Sequence, residues 1–406
     1  MPTIEAETPA TQAVEPHTVS HETPFQARAV ALIAGVHALH DTYAGFLPPL
    51  LPLFIANLGI SRAEAGLLDV FMRWPSVLQP LIGYLADRVS LRYVLIIAPA
   101  ITTTLMSLIG IAPSYAILAV LLLAVGLSSA AFHAVAPAIA GKLSGTLLGR
   151  GMSFWMMGGE LGRAFGPLVV VTAIRFVGVE GTPWLAILGI ISSLSLLILL
   201  RDVQDPVAAR GPALRFGPAM RAMSRVMLPL VALVTTRALL SASINTFLPT
   251  FLTEEGADLW FAGVSLTALE LAGLPGVLTA GYLSDRLGRR LVLFVSVFAA
   301  PLLTLLLLSA SGWVYVPVLL LLGFAMLSTT PVLMALVQES YPENRAMANG
   351  IYVSLSFIIR AVGLVVVGML GDRLGLRMAF TIGAIAALGG APLILLLPRA
   401  GARRHA

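Results

Sequence analysis

The 406-residue chain has no cysteine, a single lysine among 25 basic residues, and only 11% charged residues. The missing thiols exclude disulfides, thiolate metal centres and iron–sulfur clusters, so packing alone must stabilise the fold. Soluble domains carry about a quarter of their residues as charges. This chain falls far below that, with 58% hydrophobic residues and a mean hydropathy of +0.93, so water is not its main solvent. The formal charge of +5 does not form a nucleic-acid footprint, because the arginines sit in short loops between apolar runs rather than on one face. Phosphate-loop signatures are lacking, and so are HExxH, GxSxG and any serine–histidine constellation. ATP-driven chemistry and enzymatic catalysis are therefore not expected; neither is a cofactor or a metal.

Apolar runs fill the chain. A spanning helix needs about 20 predominantly apolar residues. Twelve such stretches are predicted, at about 28–54, 61–86, 93–112, 114–141, 149–176, 183–200, 226–252, 258–284, 291–310, 314–340, 346–370 and 378–397. Residues 201–225 break the series with five arginines and three prolines, which predicts a linker between bundles at 27–200 and 226–398. The first 26 residues, with Glu5, Glu7, Glu15, Glu22 and four prolines but no basic residue, read as a disordered cytoplasmic tail, and 399–406 as a short basic one. Alternating the loops places 17 Lys or Arg on the side of both termini and 4 on the other (Arg62, Arg175, Arg373, Arg377). Positive loops stay inside, so both termini are expected to be cytoplasmic.

The halves repeat. Gly83-Tyr-Leu-Ala-Asp87-Arg88 returns as Gly281-Tyr-Leu-Ser-Asp285-Arg286 after 198 positions. Arg163-Ala-Phe-Gly166 returns as Arg360-Ala-Val-Gly363 after 197, and Phe46-Leu-Pro48 as Phe247-Leu-Pro249 after 201. Internal duplication of a six-helix unit is a mark of secondary transporters.

Ionisable groups near mid-helix cost roughly 2.5–3.5 kcal/mol or more, so they persist where they face a cavity or a partner. Asp41, Asp69, Arg73, His133, Glu160, Arg163, Arg237, Glu270 and Arg360 fall in helices one, two, four, five, seven, eight and eleven, and none in the interiors of three, six, nine and twelve. His37 and Asp41 share a helix face and His40 adjoins them. A midplane carboxylate beside imidazoles can take up and release a proton, which makes Asp41 the first choice for proton coupling, with His37, His40, His133, Glu160 and Glu270 as further candidates. Asp69 with Arg73, and Glu160 with Arg163, read equally well as structural ion pairs. Arg237 and Arg360 have no acid within four residues and are candidates, with Arg163 and Asn245, for an anionic substrate group; a fixed Arg237–Glu270 bridge is the structural alternative. Trp155, Phe132 and Phe247 are candidates for apolar cavity wall.

The loop at 281–292, GYLSDRLGRRLV, resembles the signature loop of the major facilitator superfamily, and GYLADRVSLRYV at 83–94 resembles its first copy, with Ser90 in place of the usual glycine. The resemblance implies an all-α membrane protein of twelve spans in two pseudo-symmetric six-helix bundles, with helices three, six, nine and twelve facing lipid. It also implies a gating role for Gly83, Asp87, Arg88, Arg92, Gly281, Asp285, Arg286, Arg289 and Arg290. Gly158-x3-Gly162-x3-Gly166-Pro167 resembles the antiporter motif, although Ser153, Val170 and Val171 stand where that motif favours glycine. His37-Ala-Leu-His40-Asp41, Phe132-His133 and GGELGRAFGP resemble the fosmidomycin-resistance efflux group. Together these imply a monomeric proton-coupled exporter of a small amphipathic or anionic molecule in a bacterial inner membrane. A symporter that imports an organic anion is the alternative.

Overall fold

The structure, a computed structural model, describes residues 24–79, 81–82, 92–201, 216–340 and 345–397, and it is all-helical across them. Residues 1–23 of the expected first tail, the whole of the expected second tail at 399–406, most of the expected linker, and Gly83, Asp87 and Arg88 lie outside the described residues. The first half comprises α1 (Ala27–Ala44), α2 (Leu47–Leu58), α3 (Arg62–Arg73), α4 (Arg92–Leu108), α5 (Tyr115–Ser144), α6 (Leu148–Val177) and α7 (Ala186–Leu199). The second comprises α8 (Phe216–Ala242), α9 (Leu248–Glu254), α10 (Leu259–Leu287), α11 (Arg289–Ser309), α12 (Tyr315–Leu327), α13 (Thr329–Ser340), α14 (Arg345–Leu374) and α15 (Leu376–Leu388). Helix α8 starts inside the stretch expected as linker, since Pro218 falls in its first turn, where the missing N–H costs nothing.

Among the described residues, ten helical stretches are long and apolar enough to cross a membrane: Ala27–Leu58, Arg92–Ile111, Tyr115–Ser144, Thr182–Leu199, Met227–Glu254, Leu259–Leu287, Arg289–Ser309, Gly312–Val337, Ile351–Leu374 and Leu376–Leu396. Each matches an expected span. Of the other two expected spans, the fifth is the continuous 30-residue α6, whose hydropathy is lowered by Glu160, Arg163 and its glycines. The second is described only as far as residue 82, with residue 80 outside the description.

The first and seventh expected spans are broken at matching places. Pro48 and Pro49 lack the N–H groups that would continue α1 into α2, and the junction lies at Gly45-Phe46. In the second half a π-helical turn, Ser243–Phe247, separates α8 from α9, which opens on Leu248-Pro249. The repeated Phe-Leu-Pro tripeptides thus mark one discontinuity in each half.

Helix α6 lies along α1 because it offers backbone instead of side chains. A Cβ on Gly158, Gly162 or Gly166 would fall 2.3, 2.0 and 2.4 Å from the carbonyl oxygens of Ala34, Ala38 and Thr42 respectively, so any larger residue would push the helices apart. The halves meet through α3 against α14 and α6 against α10. Gly66 and Gly368 bring α3 and α14 equally close: a Cβ would meet the Leu364 and Arg62 carbonyls at 2.7 and 2.5 Å. One buried cluster joins Phe46, Leu47, Leu50 and Leu51 of the first half to Phe247, Leu248 and Phe251 of the second. It closes the far side, the end of the molecule opposite the start of α1 and Leu397, which mark the side of the termini. Helices α4, α7, α11 and α15 carry exposed Ile97, Ile101, Ile187, Ile191, Leu194, Val295, Phe298, Leu302, Met378 and Ile385.

Candidate functional site

A cavity of about 520 Å³ lies between the halves. Its lining includes Asp41, Arg73, His133, Arg163, Arg237, Asn245, Glu270 and Arg360. Ser76 and Gln79 on the first half, and Thr330, Met334, Tyr352 and Ser356 on the second, extend it toward the side of the termini. The far side is sealed by the apolar cluster. Seven residues picked out as proton or substrate candidates therefore share one chamber, though they come from six expected spans.

The polar groups of α1 and α5 converge with unusual geometry. The Nδ1–H of His37 donates to the Trp155 carbonyl at 2.9 Å, and that of His133 to the Ser129 carbonyl at 2.9 Å. A carbonyl oxygen can only accept, so these bonds fix both tautomers and leave each neutral Nε2 as an acceptor. The two Nε2 atoms stand 3.2 Å apart, and each lies 3.4 Å from a carboxylate oxygen of Asp41. His40 donates from Nδ1 to Asp41 at 3.0 Å from behind. Three acceptors thus face one another, an arrangement that a shared proton would make favourable. Their ligand atoms lie within 4.8 Å of one another, so the spacing would also admit a small metal ion, an arrangement not anticipated from the sequence.

Gly159 makes room for this cluster. A Cβ there would stand 2.4 Å from His37 Cε1, 2.7 Å from its Nε2 and 3.2 Å from Asp41 Oδ2. From the other face the His37 ring is held by stacking on Trp155, with centroids 3.7 Å apart, and His40 stacks on Phe132 at 4.4 Å.

Those stackings revise the expected substrate wall. Trp155 and Phe132 are buried behind the histidines, and Phe247 lies in the far-side cluster; none of the three lines the cavity. The imidazoles offer flat faces that the rings cover, and the break in the seventh span turns Phe247 into the seal. His37 and His40 likewise sit behind the chamber wall rather than on it.

The charged pairs sort themselves across helices. Asp69 accepts from Arg73 Nε at 2.8 Å. Arg163 pairs with Glu160 one turn away on its own helix and reaches Glu270 of the opposite half at 3.4 Å. The Arg237–Glu270 bridge is thus not formed: Glu270 takes Arg163 instead, and the one contact of the Arg237 guanidinium among the described hydrogen bonds is a 3.5 Å approach to the Met326 carbonyl. Arg360 has a buried Nε without a hydrogen-bond partner. Two arginines lining the chamber therefore lack a carboxylate in bonding range among the described residues. Tyr352 and Ser356, missed in the sequence, precede Arg360 by eight and four residues on the cavity face of α14; that helical spacing was the available signal.

In the second signature loop Asp285 pairs with Arg289 at 2.5 Å, and Arg289 with Glu339 at 2.7 Å. Arg286 lies over the Tyr282 ring at 4.2 Å, and Arg290 donates to the Leu397 carbonyl. Nothing lies within 4 Å of where a Gly281 Cβ would be, so this glycine does not mark a close approach of helices. The glycine that the loop requires is Gly288, at φ +91°. Of the first loop, Arg92 is described, at the start of α4.

Two helical bundles joined across a polar chamber, with broken helices at matching positions, define a membrane transporter that works between its halves. The Major Facilitator Superfamily model matches residues 33–363 and 230–406. The chain belongs to that superfamily. It is 25% identical over 371 residues to the fosmidomycin resistance protein of Escherichia coli (strain K12), covering 89% of this chain and 90% of that one. It is 24% identical over 368 residues to an uncharacterized transporter of the same superfamily, YfnC of Bacillus subtilis (strain 168), covering 86% and 87%. Among solved structures, the nucleoside transporter NupG superposes with a TM-score of 0.75 at 17% identity, over 90% of this chain and 97% of that one. A D-xylose–proton symporter superposes with a TM-score of 0.69 at 17% identity, over 92% and 98%. At such identities the structural likenesses speak for the fold.

Proposed function

We propose that this chain is a proton-coupled secondary transporter that exports a small anionic or amphipathic molecule. It does so by alternating access between two six-helix bundles, at 27–200 and 226–398, with both termini in the cytoplasm of a bacterial cell and the protein in its inner membrane. The observation that carries the reading is the pairing of two kinds of site in one chamber. The His37, Asp41 and His133 acceptors hold a proton, and Arg237 and Arg360 offer uncompensated positive charge to a substrate. Arg163, shared between Glu160 of one half and Glu270 of the other, ties the two sites together: moving a proton or an anion into the chamber changes how strongly the halves attract.

In this reading the conformation described is open on the cytoplasmic side and sealed on the outer side. A cytoplasmic anion enters beside Tyr352 and Ser356 and settles on Arg237 and Arg360, with Asn245 available as a hydrogen-bonding group. Rocking to the outward state exposes the proton site to the other compartment. The fosmidomycin resistance protein supports the direction of export by its name, and the fold shared with a proton symporter shows that architecture alone does not fix direction.

Proteoliposomes with an imposed pH gradient test the assignment. The expected result is substrate movement opposite to the proton flow, lost in Asp41→Asn. Movement along the proton flow would establish an importing symporter instead, and transport indifferent to the gradient would remove proton coupling altogether.

A further inference from the structure

On the far side, between α14 and α15, the chain reads Gly371-Asp372-Arg373-Leu374-Gly375-Leu376-Arg377. The Asp-Arg-Leu-Gly-x-Arg core repeats that of the signature loop at Asp285 to Arg290, displaced by 87 positions. The likeness extends to conformation. Gly375 has φ +80° and ψ 154°, against φ +91° and ψ 144° at Gly288. Arg377 donates to the Leu308 carbonyl at the end of α11 at 2.5 Å, just as Arg290 donates to the Leu397 carbonyl near the end of the last span. The two loops lie on opposite sides of the molecule.

Their aspartates differ in what they hold. Asp285 is largely exposed and stays within its own half, paired with Arg289. Asp372 crosses to the first half and accepts the backbone N–H groups of Arg62 and Ala63, at 2.8 and 3.0 Å, through its two carboxylate oxygens. These are two of the four N–H groups that begin α3 and have no partner within the helix; a third, that of Glu64, goes to the Ser61 hydroxyl at 3.1 Å. The side chain of Arg62 completes the clasp, meeting Glu254 at 2.8 Å and Asp372 at 3.6 Å. One loop and one helix end of the second half thus grip the positive end of a helix of the first.

We propose that residues 371–377 form a far-side counterpart of the signature loop, and that Asp372 with Glu254 latches the α3 N-terminus so that the far side stays closed. The two loops of the second half then act in opposition: the far-side loop is engaged when the chamber faces the termini, while the Asp285 loop is free. The latch presupposes the alternation described above, and the test separates the two. Because the chain has no cysteine, spin labels can be placed without background. One pair, Asn57→Cys with Ser311→Cys, spans the halves on the far side; another, Leu147→Cys with Leu287→Cys, spans them on the side of the termini.

Asp372→Ala removes both acceptors and one ion-pair partner. The expected result is a roughly tenfold rise in the ratio of far-side-open to far-side-closed molecules (about 1.4 kcal/mol), read as a longer far-side distance and a shorter one between the second pair. Asp372→Asn, which keeps an acceptor but no charge, and Glu254→Gln should shift the ratio in the same direction by less, and they decide the matter if the alanine variant does not fold. Distances unchanged in these variants, while the wild type still interconverts on adding substrate or changing pH, would overturn the latch alone. A wild type that shows one conformation under every gradient and substrate would overturn both the latch and the alternation.

Discussion

A single methyl group placed beside the proton site should uncouple transport while leaving every charged residue in place. Gly159→Ala puts a carbon 2.4 Å from His37 Cε1 and 2.7 Å from Nε2, far inside van der Waals contact. The ring cannot retreat, because Trp155 stacks on it at 3.7 Å and holds its Nδ1 through a 2.9 Å hydrogen bond. Either α6 shifts, which the Gly158 and Gly162 contacts with α1 resist, or the imidazole rotates out of the cluster. Overpacking of this kind costs about 1–3 kcal/mol, so the three-acceptor geometry becomes roughly 5- to 150-fold less populated. Reconstituted Gly159→Ala should show coupled transport reduced roughly 5- to 150-fold, with passive exchange of substrate down its own gradient retained. A Gly159→Ala protein that transports against a gradient at the wild-type rate would refute the assignment of His37 to the proton site.

Other changes probe the remaining parts. Asp41→Asn should fold and insert but lose gradient-driven transport, measured in the same vesicles; normal coupled transport by that variant would take Asp41 out of the mechanism. Arg237→Ala and Arg360→Ala should each weaken binding of anionic ligands about tenfold or more in a thermal-shift screen while sparing neutral ones; equal loss for both kinds would make the arginines structural. Gly162→Val should prevent α1 and α6 from docking, because even a Cβ falls 2.0 Å from the Ala38 carbonyl. The expected readout is protein that fails to elute as a single species from size exclusion in mild detergent.

Much of this arrangement is written locally. Nine ionisable residues stood out because buried charge is costly in an apolar chain, and seven of the candidate residues now share the chamber. The glycines of α6 were legible for a similar reason: three at helical spacing leave a bare strip of backbone. What lay hidden is contact between distant segments. Nothing local tells Arg163 that Glu270 rather than Glu160 alone completes it, because pairings across helices depend on the register of whole bundles. Aromatic residues failed for a different reason, since a ring suits a core, a histidine face or a ligand equally well. The Asp-Arg-Leu-Gly core at 372–375 is legible in the sequence, but its grip on the start of α3 is not, since that contact crosses the halves.

The glycine strip that welds α6 to α1 has a bearing on how such a machine can run. His37 and Asp41 ride on one of those helices, Gly159 and the Trp155 carbonyl on the other, so these two acceptors and the groups that hold them travel together. Under the proposed mechanism, a proton taken up from one compartment is then handed to the other without remaking that half of its binding site. What changes through the cycle is which doorway the pair faces.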